Sequence, residues 1–320
     1  VEGFVSRVRA VTAFLREHPV LTTSLQAGLV ALTLGFCFWA VRNEWSKAAP
    51  LLEHANPAYI ALACAAVTVY YLVFIFGWIR ILAVWDIHVP YRVALGSEMV
   101  SMIAKYIPGA VWTPAARTVA LRRAAGVTDT PRVLASVFVE AALAAISGVI
   151  VFVVSLAWVS GVDAPLGPLI AFALACALVI HPRIFRPLTN RLLGPFGAEG
   201  IDPLPFPEML VLLLFYCGTW LIGGVAVYFM LRSVGSHPGL ETIPYLGGTS
   251  AVGAIVAVLA VFAPSGLGAR EASMYGLLLA ITSPGPALGA TVLNRLIITL
   301  VELALFAVGL VTWRSTRIRT

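Results

Sequence analysis

Long apolar stretches separated by short basic connections restrict this chain more than any other feature. Residues 21–41, 57–78, 133–158, 166–181, 207–231 and 287–312 are such stretches. A helix needs about 20 residues to cross a hydrocarbon layer about 30 Å thick. Backbone N–H and C=O groups find no water there, so such segments must be helical. Composition agrees, since 60% of the 320 residues are hydrophobic and 11% charged, against about 25% charged in soluble domains. The mean hydropathy is +0.95. The expected fold is all-α: a polytopic membrane protein with about eight crossings plus a re-entrant hairpin.

The charge pattern predicts orientation. Net charge is +6, from 21 Lys and Arg against 15 Asp and Glu. Segments 1–20, 113–132, 182–206 and 313–320 are rich in arginine, whereas 159–165 carries only Asp163. The positive-inside rule then places both termini in the cytoplasm. Basic residues between apolar blocks suit lipid headgroups, and no nucleic-acid partner is expected. Arg7, Arg9 and Arg16 alternate with Phe4, Val8, Val11 and Leu15, which predicts an amphipathic interfacial helix over 1–19. The block at 21–41 reads as a retained span, with no cleavage pattern after it.

The expected organisation is a single membrane domain. A first half covers 20–181 with a re-entrant segment at 93–123, a cytoplasmic loop covers 182–206, and a second half covers 207–320 with a broken segment at 262–283. Cys37, Cys64, Cys176 and Cys217 lie inside apolar blocks and read as buried thiols. His18, His54, His88, His181 and His237 flank the spans, so neither a metal site nor a cofactor is expected.

Two breaks interrupt this regularity. The first is Pro108-Gly109, followed by Arg117; the second is Pro264, Gly266 and Gly268, followed by Arg270. Proline removes a backbone donor and glycine admits a turn, so each break leaves unpaired backbone groups beside a cation. A helix restarting after such a break aims free N–H groups back toward it, and with the arginine they favour an anion. Lipid headgroups supply phosphate. Pro264 follows Pro108 by 156 residues, almost half the chain, which is the spacing an inverted repeat would give.

Further charges lie where lipid would not tolerate them. Glu98, Lys105, Glu140, Glu271, Arg295 and Glu302 all fall in or beside apolar segments. An ionised side chain at mid-bilayer costs about 2.5–3.5 kcal/mol on insertion scales unless paired or hydrated. Arg295 and Glu302 are about two turns apart on one helix face. Plainer roles stay open for several residues. Arg122, Arg123 and Arg132 suit loop anchors, and Lys105 and Arg117 suit snorkelling. Glu98 and Glu140 can neutralise arginines, and Trp112 can anchor at the interface or pack against a ligand.

The motifs KYIPGAVW at 105–112 with Arg117, and APSGLGAREA at 263–272, resemble the transmembrane domain family of lysylphosphatidylglycerol synthases and flippases. The second motif is the more specific. The resemblance implies a polytopic helical domain in a bacterial cytoplasmic membrane that moves or holds an anionic lipid. Some members are fused to a domain that transfers lysine from transfer RNA to phosphatidylglycerol. These 320 residues contain no such domain, so synthase activity is not carried over. Other members are connected with polyprenyl-phosphate sugars, which implies a membrane glycosyltransferase as a partner. Pro108, Gly109, Arg117, Pro264, Gly266, Gly268, Arg270 and Glu271 would form the motif core.

With no nucleophile elbow, phosphate loop or paired metal-binding histidines in the sequence, recognition and translocation are expected before chemistry. The leading expectation is a lipid flippase or transporter. Arg117, Arg270, Lys105 and Trp112 would meet the headgroup, and Glu98, Glu140, Glu271, Arg295 and Glu302 would act as charge partners or gates. The alternative is a membrane enzyme, or an accessory subunit of one, that binds the same lipid without moving it.

Overall fold

The computed structural model describes residues 53–106, 112–159, 161–162, 166–194, 200–260 and 264–317. The expected helix at 1–19, the span at 21–41, and Pro108 and Gly109 lie outside the described residues. Within the described residues there is no strand. Ten α-helices appear in the order α1 (Pro57–Val84), α2 (Tyr91–Ser101), α3 (Trp112–Ala125), α4 (Thr130–Ser155), α5 (Leu166–Ile180), α6 (Pro182–Leu193), α7 (Phe206–Ser233), α8 (Ile243–Leu259), α9 (Ala269–Leu278) and α10 (Pro284–Arg317). One 3-10 turn, Met102–Tyr106, follows α2, and another, Pro264–Gly266, precedes α9.

Local sequence sets several helix starts. Asn56 caps α1 by accepting from the Ala58 N–H at 3.0 Å, with Pro57 in the first turn. Asp129 does the same for α4 through the Arg132 N–H at 3.1 Å, with Pro131 following. Both use a side-chain oxygen for an orphan donor and a proline where no donor is needed.

Long-range contacts order the helices by direction. The Asn56 N–H donates to Ser233 O at 2.9 Å, joining the start of α1 to the end of α7. Arg80 pairs with Glu208 at 2.7 Å, joining the end of α1 to the start of α7. These two helices are therefore antiparallel. Trp78 donates to Ser136 at 2.8 Å, so α4 begins where α1 ends. Trp85 donates to Asp202 O at 2.9 Å and stacks near Phe185 at 6.2 Å, which brings the junction after α5 to that same end. At the opposite end, Ser236 meets Thr282 at 2.9 Å, just before α10 begins.

The two broken regions are hairpins that enter from opposite ends. Tyr91, at the start of α2, stacks on Phe76 at 4.8 Å near the end of α1, and α3 leads straight back to the start of α4. Tyr245, at the start of α8, donates to Leu277 O at 2.7 Å near the end of α9. Legs α8 and α9 thus run antiparallel. By length and apolarity Leu240–Leu259 would suffice to cross a membrane, yet its return leg brings the chain back. Residues 243–283 therefore form a second hairpin, where sequence length suggests a span and a short broken one. Among the described residues five helical segments are long and apolar enough to cross a membrane, Leu240–Leu259 among them, or six if the bent pair α5 and α6 is one span.

The order helix, hairpin, helix occurs twice, as α1–(α2, α3)–α4 and α7–(α8, α9)–α10, with opposite directions. The contacts repeat as well: α4 packs on α8 and α10 on α2, so each half clasps the other's hairpin. That is the inverted arrangement the break spacing suggested. Helices α5 and α6 link the halves, bent by 74° at their junction. Segment 182–206, expected as a loop, thus holds a helix, with His181 accepting from the Arg183 N–H at 3.3 Å and Pro182 in its first turn.

Small residues permit the close packing of α8 on both α7 and α4. A methyl at Gly224 would stand 2.7 Å from Gly247 N, and one at Gly248 would stand 2.6 Å from the Phe152 Cα. The glycine-rich run in α8 thus serves packing within the chain. Phe76, Val154, Leu174, Leu178, Val211 and Leu214 point outward, as lipid-facing side chains do. The ends of α3 and α10, together with α6, gather basic residues at one end of the bundle.

Candidate functional site

The 3-10 turns at the two hairpin tips touch each other in the interior. Helix α10 passes both: Gly309 faces Met99 on α2, Glu302 meets Lys105 in the first tip, and Arg295 meets Ser265 in the second. The second tip has the backbone that its sequence calls for. Gly266 (φ 66°) and Gly268 (φ 85°) are left-handed, and Ser265 (φ 51°) shares that region. A side chain on Gly266 would also run into Ala257.

The charged residues occur as two clusters. In the first, Arg117 of α3 is ion-paired with both Glu98 of α2 and Glu140 of α4. The three are 5%, 4% and 3% exposed. Trp78 lies under the guanidinium at 4.8 Å, and the Tyr216 hydroxyl approaches Glu140 at 3.4 Å. Arg117 is therefore closed off in this conformation. Glu98 Oε2 and Arg117 Nε, both buried, have no hydrogen-bond partner.

The second cluster lies at the second tip and along α10. Glu302 is bound by Lys105 and by the Tyr71 hydroxyl. Arg295 is 3.5 Å from Glu271 and donates to Ser265 O at 3.3 Å. Glu271 also accepts from the Gly268 N–H at 2.6 Å. The backbone donor expected to face an anion at this restart is thus capped by the chain's own carboxylate. Arg270 occupies the first turn of α9 beside Gly253. Its Nε is buried without a partner, and among the described residues its guanidinium has no ion pair.

Tyr70 and Tyr71 of α1 stand edge to face with ring centroids 5.4 Å apart, and the Tyr71 hydroxyl donates to Glu302. With all groups ionised, two carboxylates against Arg117 leave the first cluster at −1. Counting the described residues alone, the second cluster holds Lys105, Arg270 and Arg295 with Glu271 and Glu302.

Of the predicted residues, the structure brings together Glu98, Arg117 and Glu140, and separately Lys105, Arg270, Glu271, Arg295 and Glu302. Pro264, Gly266 and Gly268 form the second tip. Trp112 starts α3 and is 46% exposed. Sequence reasoning missed Tyr70, Tyr71, Tyr216 and Trp78, whose only signal was aromatic character in apolar runs. Among the described residues no three His, Cys, Asp or Glu side chains are grouped to hold a metal.

Opposed hairpins meeting at charged tips inside an apolar bundle define a multi-pass helical membrane protein. The chain belongs to the family described as the lysylphosphatidylglycerol synthase TM region, whose model matches residues 26–305. That membership makes it a membrane protein related to lipid handling. No curated protein matches the chain.

Proposed function

We propose that this protein is a flippase or transporter for an anionic, phosphate-bearing lipid, either a phospholipid or a polyprenyl-phosphate sugar. The observation that carries the reading is Arg270, a cation with a buried, unpartnered Nε where two opposed hairpins touch. A guanidinium matches phosphate geometry with paired donors. Lys105 and Arg295 stand close enough to share the charge once Glu302 and Glu271 release them. An inverted repeat supplies two related conformations, one open to each face, as alternating access requires. The basic end of the bundle would face the cytoplasm. Membrane glycosyltransferases are the partners this reading suggests for a polyprenyl-phosphate cargo.

Reconstitution tests it. Liposomes containing the protein and fluorescent phosphatidylglycerol should show accelerated translocation, reduced at least about tenfold by Arg270→Ala, the loss expected for about 1.4 kcal/mol of differential binding. Arg80→Ala, at the bundle edge, should match the parent. Equal rates for Arg270→Ala and parent would sink the reading, and a covalently altered lipid would support an enzyme instead.

A further inference from the structure

We propose that helix α6 lies flat in the membrane interface and binds the headgroups of anionic lipids through Arg183 and Arg191, at a surface separate from the Arg270 site. Nothing in this inference depends on what Arg270 binds. Helix α5 turns Ile170, Leu174 and Leu178 outward, as a helix bordered by lipid does. Helix α6 leaves it at an angle of 74°. A helix turned so far from a lipid-facing one runs along the membrane surface instead of through it.

The sides of α6 are divided as that position requires. Phe185 and Thr189, one turn apart, are buried against the bundle, and Phe185 stacks near Trp85 at the end of α1. One flank is engaged by the connection to α7: Arg186 is ion-paired with Asp202, and Asn190 accepts from the Gly200 N–H at 3.4 Å. The other flank is apolar and open. Ile184, Leu188 and Leu192 follow one another there at intervals of four residues, with Ile184 and Leu192 exposed. Arg183, Pro187 and Arg191 form the exposed outer rim beside them. Among the described residues neither Arg183 nor Arg191 has an ion pair. An apolar flank edged by unpaired arginines complements acyl chains on one side and acidic headgroups on the other. Zwitterionic lipid would leave both guanidinium charges without a net counter-charge. Anchored in this way, α6 gathers anionic lipid at the end of α1 from which the first hairpin departs.

Quenching by brominated lipids tests the proposal on the full chain in vesicles. The native cysteines are replaced, and Leu192→Cys carries a bimane label. Lipids brominated in the upper acyl chain should quench this label, with phosphatidylglycerol favoured over phosphatidylcholine by at least about fivefold, the effect of one arginine near an anionic lipid. Arg183→Gln with Arg191→Gln should bring the two lipids close to equality. Should that variant fail gel filtration, high salt on the parent protein makes the same comparison, because screening weakens exposed charge pairs. A label at Leu240→Cys, exposed at the other end of the bundle, should show no such preference. Arg270→Ala should leave the preference at residue 192 unchanged. Absence of quenching would take α6 out of the membrane and overturn the proposal. Equal quenching by the two lipids, or a preference that survives loss of both arginines, would overturn it too. Loss of the preference in Arg270→Ala would assign it to the Arg270 site and remove the separate surface.

Discussion

Lys105, in the tip of the first hairpin, is ion-paired to Glu302 of the last helix, 197 residues further along the chain. The same carboxylate accepts from the Tyr71 hydroxyl of α1. One buried oxygen of the second half thus holds two elements of the first. This contact, rather than any loop, fastens the hairpin tip where the other tip meets it.

Replacing that carboxylate should loosen the meeting point. Glu302→Gln leaves the Lys105 ammonium without its counter-charge, and breaking a buried pair costs about 3–5 kcal/mol. The Lys105 side chain is 28% exposed, so water reduces the loss toward the lower figure. Thermal unfolding in detergent should show a clear fall in Tm, with much of it recovered in the double variant Lys105→Met with Glu302→Gln. A double variant no better than the single would show that the pair is not the cause.

Arg117 should be the more sensitive residue. Its removal leaves Glu98 and Glu140 facing each other with no cation, each less than 5% exposed. Arg117→Met is therefore expected to cost about 3–5 kcal/mol or to abolish folding. The triple variant Glu98→Gln, Arg117→Met, Glu140→Gln removes all three charges together and should express as a folded protein more readily than Arg117→Met alone. Yields by fluorescence-detected gel filtration make the comparison.

Contact between α7 and α8 should depend on one missing methyl group. Gly224→Ala places a carbon 2.7 Å from Gly247 N, while Gly218→Ala on the same helix meets nothing within 4 Å. Overpacking costs about 1–3 kcal/mol, so Gly224→Ala should lower Tm and Gly218→Ala should leave it unchanged or slightly raised. Equal effects would mean that the two helices can separate at little cost.

The opposed hairpins predict a labelling pattern. In a background with the native cysteines replaced, Gly126→Cys, after the first hairpin, and Gly235→Cys, before the second, should react with an impermeant maleimide from opposite faces of sealed vesicles. Gly239→Cys and Ser283→Cys, at the two ends of the second hairpin, should react from one face. Labelling of Gly239→Cys and Ser283→Cys from different faces would make residues 243–283 a crossing.

Much of this was legible along the chain. APSGLGARE marks the second tip, because its left-handed turn needs glycine and its arginine follows at once. Glu98, Arg117, Glu140, Arg295 and Glu302 stand out as charges in apolar surroundings. Which of them pair could not be read, since Glu98 finds Arg117 across a hairpin and Lys105 finds Glu302 across the whole fold. Tyr70 and Tyr71 look like any aromatic residues in a span. Only the folded bundle, which brings the Tyr71 hydroxyl to Glu302, gives that side chain a meaning.

The sequence by itself determined that the chain is helical, apolar and interrupted at set positions, because unsatisfied backbone groups and unpaired charges are too costly in lipid to occur without cause. Tertiary structure alone decided that α8 and α9 pack antiparallel, that the two tips touch, and that among the described residues Arg117 is ion-paired while Arg270 is not. Apolarity and turn chemistry act within a few residues and are written locally. Charge pairing acts between residues that only the packed halves bring within reach.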